Sequence, residues 1–272
     1  MLASYFLSLR EGVEAALILG IIFSALRKVG RSELNRALWA GAGAALTLSI
    51  LVAVLLDLLG AELDGTGEAI FEGLTMLAAA GLLTGMIFWM QHQSRGLRGN
   101  LEMKISTAAG KEGRLALFMV AFLAVVREGV ELAFYLLAAR LATNPIETLA
   151  GSVLGLGSAA LLGWTLLATT HRLSMQLFFR ITNVLLLFFA AGLVGLGVHA
   201  LNEAGWIPAL IDPLWNLNIF LPESSAFGQA LRSLFGYTAA PSFTSMAAYA
   251  VYLAALAVIL FRPRSHSLQE RS

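Results

Sequence analysis

Two copies of the pentad Arg-Glu-Gly-Val-Glu stand in stretches of the sequence that are otherwise almost entirely apolar. The first lies in "LREGVEAAL" at residues 9–17 and the second in "VREGVELAF" at residues 126–134. Residues three and four apart share one face of an α-helix, so each pentad would place one arginine beside two glutamates. Such a group can bind a cation or carry protons.

The charges of the pentads do not cancel. A charged side chain at the centre of a membrane-spanning helix costs about 2.5–3.5 kcal/mol on the insertion scale. Each copy holds one arginine against two glutamates, which leaves −1 per pentad and −2 for both. The surplus charge argues against simple ion-pair contacts between helices, and it favours a metal cation over a proton relay. The six charged residues are Arg10, Glu11, Glu14, Arg127, Glu128 and Glu131.

The residue types restrict the metal without naming it. Four carboxylates form an all-oxygen site, which hard cations prefer, whereas zinc and copper sites usually recruit His or Cys. The chain has no Cys and four His, and no His lies within one helical turn of a pentad. Fe³⁺, Mn²⁺, Ca²⁺ and Mg²⁺ all fit this ligand chemistry.

The elements that carry the pentads are long apolar runs. Of the 272 residues, 58% are hydrophobic and 13% are charged, whereas soluble domains have about 25% charged residues. A membrane-spanning helix needs about 20 apolar residues. The sequence therefore predicts an all-α polytopic membrane protein, with no detachable signal peptide at its first span. The seven predicted spans are 1–26, 37–60, 69–90, 115–141, 149–170, 181–201 and 243–261.

Positive charge indicates the orientation of these spans. Most of the 18 Lys and Arg residues fall in the loops 27–36, 91–114 and 172–180 and in the tail from 262. Because cytoplasmic loops are enriched in Lys and Arg, the N-terminus is predicted outside and the C-terminus in the cytoplasm. Acidic residues concentrate on the outer side. They form either a solvated surface or a cluster whose negative electrostatic potential attracts cations.

The duplicated pentad predicts an internal repeat. Its copies lie in spans 1 and 4, which run in opposite directions through the membrane. We expect a 3+3 inverted repeat, with repeat A at 1–90 and repeat B at 115–201, followed by an outer loop at 202–242 and an extra seventh helix at 243–261. Transporters with inverted repeats bind their substrates near the bilayer midplane.

With these motifs on spans 1 and 4, the chain resembles the oxidase-dependent iron permease family. That family includes the fungal high-affinity iron permeases and the bacterial EfeU-type ferric iron permeases. The segment "FEGLTMLAAAGLLTGMIFWM" in span 3 is also similar to the family, and the chain length is closer to the bacterial members. The resemblance implies that Arg10 and Arg127 orient the carboxylates. It implies ferric iron in transit on four ligands, Glu11, Glu14, Glu128 and Glu131.

The resemblance also implies the partners and the location. It implies a multi-pass permease of the bacterial inner membrane, in contact with lipid, that receives iron from a periplasmic oxidase or haem peroxidase and an iron-binding protein. We expect neither a tightly bound cofactor nor a nucleic-acid partner, and we expect a transporter rather than an enzyme. The alternatives are a permease for another divalent cation, a proton-coupled carrier, and a membrane-embedded di-iron enzyme. Soluble di-iron proteins use Glu-x-x-His motifs, and neither pentad has a His at that spacing.

Four residues near the outer side are candidate entrance ligands. Glu72 lies in the first turns of span 3, where it is an entrance ligand or part of a solvated helix end. His199 and Glu203, four residues apart, form an accessory metal site or an interfacial hydrogen-bonded pair. Glu223 is the single acid of "PESSAFG", where fungal permeases carry an Asp-x-x-Glu motif.

Two loops have predicted roles of their own. "SSAFGQALRSLFG" predicts a short amphipathic helix that is capped by Ser and ended by Gly236. We expect this helix to act as a lid or as a docking site for a partner. The basic inner loop at 91–114 is predicted to lie at the membrane interface, near anionic lipid.

Overall fold

A computed structural model describes residues 1–93, 113–168 and 175–261 of the chain. Within these ranges the protein consists of helices and connecting loops, without a strand, so the predicted all-α class is confirmed. The expectation for the basic loop at 91–114 concerns mainly residues 94–112, which lie outside the described ranges. The helices are α1 (Leu2–Lys28), α2 (Asn35–Ala61), α3 (Thr66–Gln93), α4 (Gly113–Ala142), α5 (Pro145–Ala168), α6 (Met175–Glu203), α7 (Ala226–Phe235) and α8 (Phe243–Phe261), with a 3-10 turn at Ser32–Leu34 before α2.

Each of the seven predicted spans coincides with a long helix to within a few residues. Among the described residues, α2, α3, α5 and α6 combine the length and the hydropathy that a membrane crossing needs. The outer face of α2 suits acyl chains, because Leu46, Leu51 and Leu55 are 56%, 60% and 58% exposed. The protein is therefore a multi-pass membrane protein. That α1, α4 and α8 also cross the bilayer stays a prediction, since α1 and α4 carry the charged pentads and α8 has only 19 residues.

The helices pack in pairs taken from the two halves of the chain. The most extensive contacts join α1 to α5, α2 to α4 and α3 to α6, and α8 packs on α6. This pairing is unchanged when α1, α2 and α3 are exchanged with α4, α5 and α6. The next contact, between α1 and α4, brings the two pentad-bearing helices together at the centre of the bundle.

One end of the bundle holds the N-terminus and several loops. The N-terminal ammonium group lies 3.3 Å from Glu147 at the start of α5. Arg140, near the end of α4, forms an ion pair with Asp57 near the end of α2. Arg232 of α7 donates a hydrogen bond of 3.0 Å to the carbonyl oxygen of Ala142. In the predicted topology this is the outer end of the protein.

The segment between α6 and α8 is ordered by its own hydrogen bonds. The Ser225 hydroxyl accepts a bond of 3.0 Å from the backbone N–H of Gly228, and α7 ends at Gly236 with φ of 66°. Glycine adopts this left-handed conformation without the steric cost that other residues meet. The start and end of the predicted amphipathic helix are thus confirmed, while its role as a lid or docking site stays a prediction.

The main apolar core lies where α1, α3, α4 and α6 meet. Because this core occupies the middle of the bundle, polar groups beside it are shielded from water and must find partners within the protein. Its members with least exposure include Leu7, Leu83, Tyr135, Leu186 and Leu193.

Candidate metal centre

Both pentads lie deep within the bundle. Glu11 and Glu128 are each at least roughly 14 Å from either end of their helices, at 1.5 Å per residue. Arg10 is 0% exposed, Glu11 1% and Glu128 6%. Groups of this kind are almost never fully buried unless they are paired. The partners of each charge therefore decide what the cluster can do.

In the first pentad the arginine forms ion pairs with both glutamates. Nη1 of Arg10 lies 2.7 Å from Oε1 of Glu11, and Nη2 lies 2.9 Å from Oε1 of Glu14. Nη1 also donates to the thioether sulfur of Met86 on α3, at 3.0 Å. One guanidinium thus bridges both carboxylates of its own pentad.

The second pentad is arranged differently. Nε of Arg127 donates to Glu131 at 3.0 Å, and the Arg127 side chain remains 44% exposed. Its guanidinium carbon lies 4.3 Å from the ring centre of Trp89 on α3, which is a cation–π contact. Glu128 forms no ion pair among the described residues. The second arginine therefore pairs with Glu131 and leaves Glu128 without an ion pair of its own among the described residues.

Three of the four predicted ligands meet at one point. Single oxygens of Glu11, Glu128 and Glu131 lie within 4.8 Å of one another, as the ligands of a single cation do. Glu14 lies outside this triplet, on Arg10. The two motifs predict four carboxylates around one ion. The structure brings three of them together, and the fourth lies one helical turn from Glu11.

The triplet has unfilled acceptors. Glu11, Glu128 and Glu131 each have one buried carboxylate oxygen without a hydrogen-bond partner in the part of the chain described. Buried polar atoms without partners are rare, and an absent water or ion is one recognised explanation for them. A cation seated among the three carboxylates would satisfy these oxygens and offset the formal surplus of −2. Its oxygen-only ligands would suit a hard ion.

The glycines of the pentads let other helices approach. A β-carbon on Gly12 would lie 2.6 Å from the β-carbon of Ala159 on α5, and one on Gly129 would collide with Ser49 on α2. The analogous glycine in each pentad thus faces a helix of the opposite half. These contacts hold α1 and α4 at the positions that bring their carboxylates together.

Three residues that were not predicted from the sequence to have a role lie beside the pentads. Met86 and Trp89 contact the two arginines from α3, and Tyr135 lies one turn beyond Glu131 on α4. Met86 and Trp89 belong to the quoted segment "GMIFWM", so their presence was visible, but their contacts depend on how α3 packs. For Tyr135 the sequence did contain a signal, because its spacing of four residues from Glu131 places both on one face of a helix.

The four candidate entrance residues separate into two groups. Glu72 lies within electrostatic reach of Glu68 and Glu203, and Nε2 of His199 lies 3.6 Å from Oε1 of Glu203. These residues form an acidic group between α3 and α6, at the end of the bundle that the predicted topology places outside. Glu223 instead has structural contacts, described next.

Glu223 is bound within the loop that contains it. It forms an ion pair with Arg232 of α7, and its other oxygen accepts a bond of 2.6 Å from the backbone N–H of Ala239. Both carboxylate oxygens thus hold α7 and the following loop in place. This geometry favours a structural role for Glu223 over that of an entrance ligand.

The chain matches a known protein family along nearly its whole length. Residues 1–267 match the model of the iron permease FTR1 family. Proteins named ferrous iron permease EfeU from Escherichia coli O157:H7 and Shigella sonnei are 34% identical to the chain over 275 residues, covering 100% of both chains. The protein of that name from Yersinia pestis is 33% identical over 265 residues, covering 97% of this chain and 94% of its own length. No solved structure matches the chain.

Proposed function

The chain belongs to the iron permease FTR1 family, and from this premise we propose that it moves ferric iron across the cytoplasmic membrane of a bacterium. The observation that carries the proposal is the buried triplet of Glu11, Glu128 and Glu131, with oxygens within 4.8 Å of one another. Glu14 and the two arginines adjust its charge. Iron is the cargo of this site and leaves it again.

Ferric iron fits the triplet by hardness and by charge. The ligand set is all oxygen, which favours hard cations, and no His or Cys joins the triplet among the described residues. The six charged side chains of the two pentads sum to −2. An Fe³⁺ ion would leave one positive charge over, so the bound state would be nearly neutral and release would remain possible.

Ferrous iron is the second candidate, because the similar bacterial proteins carry the name ferrous iron permease. Carboxylates also bind Fe²⁺, and Fe²⁺ would neutralise the surplus of −2 completely. The two candidates therefore differ in the oxidation state that crosses the membrane, and a flux measurement separates them.

We expect purified protein in liposomes to take up Fe³⁺, presented as a soluble chelate, faster than Fe²⁺ kept reduced with ascorbate. Mn²⁺ and Zn²⁺ in excess should slow Fe³⁺ uptake only weakly, because hard carboxylate oxygens attract a trivalent ion more strongly than a divalent one and zinc sites usually recruit His or Cys. The measurement is accumulation of radioactive iron, with protein-free liposomes and Glu128→Gln liposomes as controls. Faster Fe²⁺ uptake would assign the ferrous ion, and no iron uptake in either state would end the permease proposal.

The path across the membrane follows from the repeat. We infer a 3+3 inverted repeat, α1–α3 and α4–α6, because the helix pairing is unchanged when the two halves are exchanged. Iron would enter past the acidic group of Glu68, Glu72 and Glu203 and bind the triplet at the point where the halves meet. Release to the cytoplasm would follow a change in which the two halves exchange environments.

The difference between the two arginines supports such an exchange. Arg10 is buried and contacts Met86, whereas Arg127 is 44% exposed and contacts the ring of Trp89. In a symmetric repeat these two environments would be identical. We propose that the structure represents one end state and that in the other state Arg127 becomes buried while Arg10 gains exposure.

The orientation is proposed from the positive charge of the loops, and the absence of Cys makes it directly testable. We expect Ser224→Cys, in the exposed turn before α7, to react with a membrane-impermeant maleimide in intact spheroplasts. Ser32→Cys, in the exposed turn after α1, should react only after the membrane is permeabilised. Gel shifts report the labelling, and the reverse pattern would invert the topology.

The partners are proposed from the outer loop. A periplasmic oxidase or haem peroxidase and an iron-binding protein would deliver ferric iron at the end of the bundle that carries α7. Ile219 and Phe220 in this loop are 86% and 84% exposed, and Phe227 of α7 is 66% exposed. Exposed apolar groups of this size suit a docking partner. The protein itself acts as a transporter.

A further inference from the structure

Tyr135 carries a buried hydroxyl that nothing in the described structure explains. Its side chain is 0% exposed, and its hydroxyl has no hydrogen-bond partner among the described residues. Leaving a buried polar group unsatisfied costs about 1–3 kcal/mol. By contrast, the Tyr252 hydroxyl of α8 lies 2.6 Å from Oγ1 of Thr84. The Tyr135 hydroxyl would therefore be satisfied by a ligand that binds beside it transiently.

The position of Tyr135 points toward the triplet. It follows Glu131 by four residues and Glu128 by seven, and these spacings place all three on one face of α4. Side chains in an α-helix lean toward its N-terminus, so the ring extends back over the turn that holds the two glutamates. The ring packs in the apolar core with Leu7 and Leu83, which fixes the hydroxyl in place.

The charges that act on the hydroxyl are those of the pentads. Glu11, Glu131, Arg10 and Glu128 all interact with it electrostatically. A phenol can donate its proton or offer oxygen lone pairs, and here it does neither while surrounded by ligands for a cation. The corresponding position in repeat A, 117 residues earlier, is Ile18, so the hydroxyl is supplied from one half of the protein alone.

We propose that the hydroxyl oxygen of Tyr135 is a further ligand of the transported iron, alongside Glu11, Glu128 and Glu131. This inference rests on the proposed function. Phenolate is a hard oxygen ligand, and tyrosine is an axial ligand of ferric haem in catalase. On binding, an Fe–O bond replaces the O–H bond, and the proton leaves with water that the hydrated ion sheds. A phenolate ligand selects Fe³⁺ over Fe²⁺.

The test uses a signal that a structural role would not produce. Iron(III) bound to a phenolate has a charge-transfer absorption in the visible region, whereas iron(III) on carboxylates alone does not. We expect purified protein in detergent, loaded with Fe³⁺, to show this band. Tyr135→Phe should bind iron without the band and take up Fe³⁺ at least about 10-fold more slowly in liposomes, because losing a ligand should cost no less than losing a group that only supports one.

The matched control is Tyr252→Phe, which should keep both the band and the uptake rate. Elemental analysis of bound iron and thermal unfolding accompany every sample. Tyr135→Phe should unfold at the wild-type temperature or above it, because it removes only an unpartnered hydroxyl.

The outcomes separate the inference from the proposed function. Wild-type protein that binds and transports iron without the visible band would overturn the Tyr135 assignment and leave the permease proposal intact. The same holds if the band survives in Tyr135→Phe. Wild-type protein that binds no iron would overturn both.

Discussion

We expect iron uptake to fall at least about 100-fold in Glu128→Gln, at or above the upper end of the loss caused by removing a group that only supports a metal ligand. Glu128 is the carboxylate of the triplet that has no ion pair among the described residues, so no arginine competes with the ion for its oxygens. Glutamine has nearly the same size but lacks the negative charge of the carboxylate. The variant should therefore insert and pack normally while its affinity for iron collapses.

The measurement is radioactive iron uptake into liposomes, normalised to the amount of correctly inserted protein. Glu14→Gln is the graded comparison, and we expect a loss of roughly 10-fold, because Glu14 lies on Arg10 outside the triplet. Glu33→Gln is the surface control. Its side chain is 54% exposed beside Arg31, and it should transport at the wild-type rate. A larger loss in Glu14→Gln than in Glu128→Gln would show that the triplet is not the binding point.

The long helices could be predicted from sequence because their signal is local. An apolar run long enough to cross the bilayer needs no knowledge of its neighbours, and the range predicted as 243–261 coincides with α8, Phe243–Phe261. The same holds for α7, whose capping serine and terminal glycine directly precede and follow the helix in the sequence. The approach of Arg10 to Glu14 follows from a spacing of four residues in any helix.

The contacts between helices could not be predicted, because they depend on packing. Arg10 and Arg127 occupy identical pentads, yet one meets Met86 and the other meets Trp89. Both partners lie on α3, and no periodicity in the sequence states which side of α3 faces which arginine. The relation of Glu223 to Arg232 is another example, since an acid in an outer loop could as well have faced the entrance.

The carboxylate triplet depends both on features that the sequence shows and on the packing of the helices. Residue types and duplication predicted a carboxylate site, while the helix pairing decided which carboxylates share it. Gly12 and Gly129 connect the two levels, because each is a feature of the pentad that determines how closely a helix of the other half approaches. The sequence therefore predicts the types of ligand, and the packing of the helices determines which of these ligands lie close together.

The different environments of Arg10 and Arg127 predict unequal losses of stability when each arginine is removed. Arg10→Met should destabilise the protein by about 3–5 kcal/mol, the range for breaking a buried ion pair from one side. Arg10 is 0% exposed and bridges Glu11 and Glu14, so its loss leaves two carboxylates without their bridging cation in the interior. Arg127→Met should cost clearly less than Arg10→Met, because Arg127 is 44% exposed and forms its ion pair with one carboxylate rather than two.

Thermal unfolding of the purified variants in one detergent checks this prediction. The double variant Arg10→Met with Glu14→Gln should recover part of the lost stability, because it removes one of the two stranded charges. Adding Glu14→Gln to Arg127→Met should bring no such recovery, since Glu14 has its partner in Arg10. Equal destabilisation by Arg10→Met and Arg127→Met would mean that the two pentads share one environment, and the assignment of the structure to a single end state of the transport cycle would then fail.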